Sequence, residues 1–587
     1  MASYWPRICV VFLLGMFVGS SSGQFPVSPN IIVFMVDDMG WNDVGFHESN
    51  EIPTPNIDAL AYNGIILNRH YVLPSCTPAR AAFFTGLYPI RMGLQGNSLK
   101  GSEPRGLPLN VRILPDYLRE LGYSTRLVGK WHLGFPTPQF TPQERGFDSF
   151  LGFYNDHISQ YKYYYRDGNM SGFDLQRGDG PAHDIHEEYV TRVFTEEAIK
   201  IIHRHDSKRP LYLQINHLGF HAPLEPPHDG DLGGYRYHNF SYLHGERRKY
   251  AMMISEIDTS LGSIVSALGE RALLNDSIIV FLSDNGAPTG GTEGNAGSNW
   301  PLRGGKYSLY EGGVRGVAAV WSPRIKKMAQ VSSNLIHITD WLPTLYRAAG
   351  GNVSDLGVID GVDQWDYFSQ DKEAPRQSLL INIDELRKTE AAIYRRYKLI
   401  RGHTDERSND YYFGSSGKDV NVPAYDYNLV HSSAVGSAIH SHLGHPVAPQ
   451  SYMSKLREQA RVSKCMDIKL FWNNGTHPCR NETECLFDIF SDPCEMTNIA
   501  RSHPKIVREL NAILEKYGNM LTKQPNMPEN WSADPRKHNS TWVPWLHPNL
   551  YETRYGYNGS AAVVVSSLGI FAHIGMVFLV VGLRAFL

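Results

Sequence analysis

The chain has 587 residues, with 56 Lys and Arg against 59 Asp and Glu and a formal net charge of -3. That balance excludes the basic footprint of a nucleic-acid-binding protein. The composition is globular, without repeats or low-complexity tracts, and the length calls for more than one domain.

Residues 1–23 read as a secretory signal: MASYWPR is basic, ICVVFLLGMFVG is apolar and SSSGQ is small, with cleavage near Gly23. From 24 to 375 the pattern is α/β. NIIVFMVDDMGWNDVG is an apolar run broken by two aspartates, Asp37 and Asp38, then glycine, the pattern of a buried parallel strand ending in a loop. In LPSCTPARAAFFTGLY, Pro78 suits the first turn of a helix. Cys76 then stands at or just before a helix start, where free amides and the dipole favour anionic groups, with Arg80 one turn further on. VRILPDYLRELGY reads as a helix, and STRLVGK and PLYLQINHLGFHAP as strands. NDSIIVFLSDNGAP repeats the first strand's shape and ends at Asp284 and Asn285. This alternation predicts a large, mostly parallel sheet sandwiched by helices, with ligands at the carboxyl ends of its strands.

A smaller α+β domain on a short antiparallel sheet is expected from 376 to 545. SLLINID, TEAAIYRRYKLIRG and CLFDIF supply short strands, and HPKIVRELNAILEKYGNML supplies an amphipathic helix. Residues 402–460 have weak periodicity and read as a long loop, and the chain beyond Gln524 reads as irregular. Residues 546–587 form a linker and an apolar tail. Its uncharged run from Ala561 to Leu583 can cross a bilayer core of about 30 Å, as a membrane helix or as a tail exchanged for a lipid anchor.

Nine N-x-S/T sequons, at Asn169, Asn239, Asn275, Asn352, Asn474, Asn481, Asn530, Asn539 and Asn558, fit a glycosylated surface in the secretory route. Of six cysteines, Cys9 leaves with the signal. Cys465, Cys479, Cys485 and Cys494 suit two disulfides of open pairing, and Cys76 is left alone in an oxidising compartment.

Asp37, Asp38, Asp284 and Asn285 offer only oxygen donors at two matched strand ends. Adjacent carboxylates repel unless a cation lies between them, and oxygen sets suit hard divalent ions such as Ca²⁺ or Mg²⁺ rather than zinc. Either pair alone is more simply a loop cap.

These residues carry a resemblance. Cys76-Thr77-Pro78-Ala79-Arg80, followed by Thr85-Gly86, is similar to the sulfatase signature C-x-P-x-R. The similarity continues through TPNIDALAYNGIILNRHYV, GKWHLG, QERGFDSFLGF, HAPLEPP, FLSDNG, NWPLRGGKYSLYEGGVRG and LFDIFSDPCEMTNIA in family order. Within the sulfatases the chain resembles arylsulfatase B and its relatives.

The resemblance implies an alkaline-phosphatase-like fold and a Cys76 oxidised to formylglycine by a separate generating enzyme during secretory entry. The hydrated aldehyde then offers one hydroxyl to attack sulfur and a second whose deprotonation expels sulfate. It also implies one Ca²⁺ held by Asp37, Asp38, Asp284, Asn285 and the modified Cys76. Arg80 would orient the hydrate, Lys130 would contact sulfate, and His132 would move a proton during sulfate release. His221 and Lys306 would bind sulfate and assist the leaving alcohol, with His221 the proton donor. His217 ranks below His221, which carries the family's H-x-P pattern. Without the family, each of these histidines is one of 24 and Lys306 is a solvated charge.

The implied substrates are aryl sulfates, sulfated sugars such as N-acetylgalactosamine 4-sulfate, or sulfated glucosides. The loops YNDHISQYKYYYRDG and HDGDLGGYRYHNF are the candidates for specificity. Lysosomal, extracellular and membrane-anchored destinations all fit. A phosphatase or phosphodiesterase of the same superfamily, and an inactive membrane-attached binding glycoprotein, are the alternatives. A cysteine protease is disfavoured, because nothing marks an imidazole partner near Cys76.

Overall fold

The computed structural model describes residues 28–228, 240–290, 293–402, 410, 413–418, 421–444, 448–462, 465, 479 and 484–555. The expected signal, the apolar run of 561–583 and most of the HDGDLGGYRYHNF loop lie outside these residues. Among the described residues no helix is long and apolar enough to cross a membrane.

The core is a ten-stranded mixed sheet. Its centre is parallel. Ser277–Ser283, Asn30–Val36, Leu211–His217, Ser124–Lys130 and Ser149–Phe153 lie side by side in that order. Every residue of Asn30–Val36 is buried, as expected of a strand covered on both faces. Antiparallel strands, Ala318–Trp321 on one side and Gln176–Arg177 on the other, extend the sheet outward. Helices Val190–Arg204 and Gly245–Glu270 pack together with Pro55–Asn63 and Ala434–Leu443. Cys76–Thr85, Leu114–Glu120 and Trp341–Ala348 form a second packed group.

The smaller sheet is antiparallel: Ser378–Asp384, Thr389–Tyr394, Tyr397–Arg401 and Glu484–Asp488. Alternate side chains divide its two faces, as strand geometry requires. Leu379, Ile381, Ala391, Ile393, Ile400 and Phe487 meet Tyr71, Leu309 and Val314 of the large unit. Leu380, Ala392, Leu399 and Leu486 meet Leu510 and Leu514 of the helix Pro504–Gly518.

The stretch expected to be a loop, 402–460, instead contains the helices Tyr427–His431, Ala434–Leu443 and Gln450–Ala460. They pack on the large unit, where Asn56 Oδ1 accepts from Val435 N at 3.1 Å and Arg457 donates to Gly45 O at 2.8 Å. Val435, Ala438 and Ile439, and Met453, Leu456 and Ala460, recur at helical spacing, but each run is short and its stability comes from packing on the large unit. From Gln524 to Tyr555 the chain is largely irregular, with short turns and the helix Pro548–Tyr555. Trp542 is fully buried there, and its N–H bonds Phe173 O at 2.9 Å. The open disulfide question resolves into Cys465–Cys494 and Cys479–Cys485.

Candidate active site

Parallel register places the ends of Asn30–Val36 and Ser277–Ser283 at the same level, Val36 against Ser283. Asp37, Asp38, Asp284 and Asn285 therefore emerge together, and all four are buried. Asp38 has φ 58°, a left-handed turn that Asp tolerates better than most residues. Gly286 permits close approach of the next loop: a Cβ there would lie 1.8 Å from Gly312 O. That approach brings in Lys306, whose N–H donates to Ala287 O at 3.2 Å.

The helix Cys76–Thr85 begins at Cys76, with extended Ser75 before it and Pro78 in its first turn. Cys76 is 1% exposed and unpaired, and its thiol donates to Asp37 Oδ1 at 3.1 Å. Arg80 reaches Asp284 at 2.9 Å and Asp37 at 3.5 Å. Lys130, the last residue of its strand, lies 2.6 Å from Asp37 Oδ2, and Lys306 lies 3.0 Å from Asp38 Oδ2. Asn285 Nδ2 donates to Asp38 Oδ1 at 2.6 Å. One cluster thus gathers Asp37, Asp38, Cys76, Arg80, Lys130, Asp284, Asn285 and Lys306.

His132 and His221 flank this cluster electrostatically. His132 Nε2 donates to Leu99 O at 3.0 Å, so its buried Nδ1 carries the lone pair and has no partner among the described residues. Burial, then Lys130, holds His132 well below the usual imidazole range. His221 Nδ1 lies 2.9 Å from Ala222 O, and burial, then Lys306, lowers its proton affinity as well. His217 is different: it sits among Phe34 and Phe194 with Nε2 3.0 Å from Ser260 Oγ, a packed core histidine.

The electrostatics favour a cation. Burial works against ionised Asp37, but Lys130 and Arg80 outweigh it and hold the carboxyl well below the usual range. Asp284 is pushed up to about 7 by burial and by Asp37 beside it. Ligand atoms of Asp37, Asp38, Cys76 and Asp284 lie within 4.8 Å of one another. Asn285 Oδ1 is buried without a partner among the described residues, although its Nδ2 is bonded. Three carboxylates and an orphaned amide oxygen fit a hard divalent ion. The Cys76 thiol is pushed well up by burial and by Asp37, the opposite of what a thiolate nucleophile needs.

Sequence reasoning missed several neighbours. Thr77 Oγ1 donates to His132 O at 3.1 Å and accepts from Leu99 N, tying the Cys76 helix to the His132 loop. Glu293 lies 3.3 Å from Lys306 and accepts from Tyr307 OH at 2.8 Å. Asp156 and His157 border His221, with the two imidazoles stacked at 4.6 Å. The loop that carries the last pair, YNDHISQYKYYYRDG, was a candidate for specificity, but neither residue was singled out within it.

The Sulfatase family model matches residues 29–351, more than half of the chain and every cluster residue above. The chain belongs to the sulfatase family. It is a sulfuric ester hydrolase of the arylsulfatase type. This sulfatase is 34% identical to mouse (Mus musculus) arylsulfatase J over 88% of its own length and 80% of that protein. It is 33% identical to mouse N-acetylgalactosamine-6-sulfatase over 59% of its length and 67% of that protein. The crystal structure of Ps i-CgsB in complex with k-i-k-neocarrahexaose matches its fold with a TM-score of 0.65. That match is at 23% identity and covers 90% of this chain and 99% of the other.

Proposed function

We propose that this sulfatase cleaves sulfate monoesters of phenols or sugars at Cys76, after conversion of that residue to formylglycine in the secretory route. The observation that carries the reading is the state of Cys76. A buried, protonated thiol that donates to a carboxylate is a poor nucleophile, yet it sits at a helix start among Arg80, Lys130 and Lys306. The geometry suits an anion and a hydroxyl nucleophile, not a thiolate.

A Ca²⁺ held by Asp37, Asp38, Asp284, Asn285 and the modified side chain would offset sulfate charge and favour ionisation of the attacking hydroxyl. Lys130 and Lys306 bind the sulfate oxygens. Both are buried and held charged, Lys130 by Asp37 and Lys306 by Asp38, against the pull of burial. Arg80 fixes the position of residue 76 through Asp37 and Asp284. His132, neutral with an Nδ1 unpartnered among the described residues, accepts the proton released as sulfate departs. His221 gives a proton to the leaving oxygen, its Nδ1 occupied by Ala222 O and its Nε2 left to act.

Mass spectrometry of the peptide spanning Cys76 from secreted protein tests the reading. The aldehyde is expected, and Cys76→Ala is expected to lose aryl sulfatase activity by about 10³-fold or more. An intact thiol in fully active protein would overturn it. Faster turnover of an aryl phosphate than of the matching aryl sulfate would point to a phosphatase instead. The sulfated sugar or aryl alcohol is then identified by a substrate panel.

A further inference from the structure

We propose that Asp156 and His157 are positioning residues: they hold the His221 imidazole face-on and act through it on proton transfer to the departing alcohol. The proposal rests on His221 as proton donor.

His157 Nδ1 lies 2.8 Å from Asp156 Oδ1. A carboxylate only accepts, so His157 Nδ1 carries its hydrogen. The His157 ring stacks on His221 with centroids 4.6 Å apart and planes 6° from parallel. His221 Nδ1 is fixed by a carbonyl in the same way, so each ring is clamped at one nitrogen and presents Nε2 on its other edge. Two loops are joined along this line. Gln160 N donates to Glu225 Oε2 at 2.6 Å, and Tyr161 stacks on His228 at 4.6 Å while its hydroxyl accepts from His228 N. The base of the first loop is rigid, because Asp174 accepts from Tyr154 N, Asn155 N and Asn155 Nδ2. His221 therefore cannot turn without breaking the stack.

The arrangement is also electrical. Against burial, Asp156 holds His157 above the usual imidazole range, so His157 is a cation lying on His221. The charged groups facing His221 oppose one another. Burial, then Lys306 and His157, push its proton off; Asp156 and Asp38 hold it; Asp37 and Glu293 also feel its charge. A proton donor under a stacked cation is a stronger acid, and a stronger acid helps most when the leaving alkoxide is basic.

The test uses full-length protein and two aryl sulfates of unequal leaving ability, phenyl sulfate and 4-nitrophenyl sulfate. His157→Phe keeps a flat ring and removes the charge. It is expected to lower kcat/KM for phenyl sulfate at least ~10-fold more than for 4-nitrophenyl sulfate. The alkaline limb of its pH profile is expected to move up by on the order of one unit, because His221 then keeps its proton longer. Asp156→Asn, which removes the counter-ion that keeps His157 charged while preserving size, is expected to show the same leaving-group bias. His221→Asn separates the two readings. If it loses no more rate on phenyl sulfate than on 4-nitrophenyl sulfate, the proton-donor reading falls and this one with it. If it shows the bias while His157→Phe and Asp156→Asn show neither bias nor limb shift, the pair merely packs and the proposal is overturned.

Discussion

Cys76, Asp37 and Arg80 make one electrostatic unit, and each sets the state of the next. Asp37 accepts the thiol's hydrogen bond, Lys130 and Arg80 keep Asp37 ionised, and burial together with Asp37 pushes Asp284 up to about 7. A hard cation would relieve this crowding, and its removal is then expected to have a visible cost. Dialysis against a chelator is expected to reduce aryl sulfatase activity to below about a tenth and to lower the Tm. Ca²⁺ is expected to restore both and Zn²⁺ to restore neither, because the donors are oxygens. Full activity in metal-free protein, checked by elemental analysis, would remove the cation from the reaction. Asp37, Asp38, Asp284, Asn285, Cys76 and Arg80 were legible in local patterns, two strand ends and a helix start with a Pro in its first turn, whereas Lys130 and Lys306 came only from the family resemblance. Asp156 and His157 were not legible as partners of His221. Their contact is made through space between two loops, and nothing in either loop's own spacing encodes it.

Among the elements, the helix Pro55–Asn63 shows how far a helix start depends on distant residues. Asp258, on the helix Gly245–Glu270, accepts from Asn56 N at 3.0 Å and Ile57 N at 2.8 Å. Inside the same first turn Asp58 accepts from Phe46 N, Thr54 Oγ1 and Tyr425 OH, the last at 2.6 Å. Burial, with Asp258 adding to it, pushes the Asp58 carboxyl up to about 7. A raised native value stabilises the fold below pH ~4, and that contribution is lost as pH rises from ~4 through 7. The wild type is expected to lose on the order of 1 kcal/mol per pH unit across this window through Asp58. Asp58→Asn is expected to flatten that slope, measured as denaturation midpoints at pH 5 and 7.5; an unchanged slope would assign the pH dependence elsewhere. Leu514→Ala, at the contact between the helix Pro504–Gly518 and the small sheet, is expected to cost about 2–5 kcal/mol in a urea titration. That helix was readable from its apolar spacing. Ala434–Leu443 was not: Val435, Ala438 and Ile439 recur at helical spacing, but the run is only ten residues long, and it holds its place by packing on the Gly245–Glu270 helix.

Across the whole molecule, the two sheets are joined by buried charge as well as by apolar contact. Lys398 of the small sheet is fully buried between Glu311 at 3.0 Å and Glu495 at 2.8 Å. Tyr71 OH and Arg315 also reach Glu311. Lys398→Met is expected to cost about 3–5 kcal/mol in guanidine unfolding, because two carboxylates lose their shared cation. Adding Glu311→Gln and Glu495→Gln is expected to recover part of that loss; no recovery would mean that packing, not charge, joins the sheets. The architecture followed from strand alternation in the sequence, but this joint did not, since Lys398 reads locally as an ordinary surface lysine of an antiparallel strand. The seal over Cys76 has a consequence for timing. The helix that begins at Cys76 is enclosed by a strand end and a loop contributed some two hundred residues later in the chain. A catalyst that alters this side chain would therefore have to reach it in a chain whose enclosing strand end and loop have not yet packed.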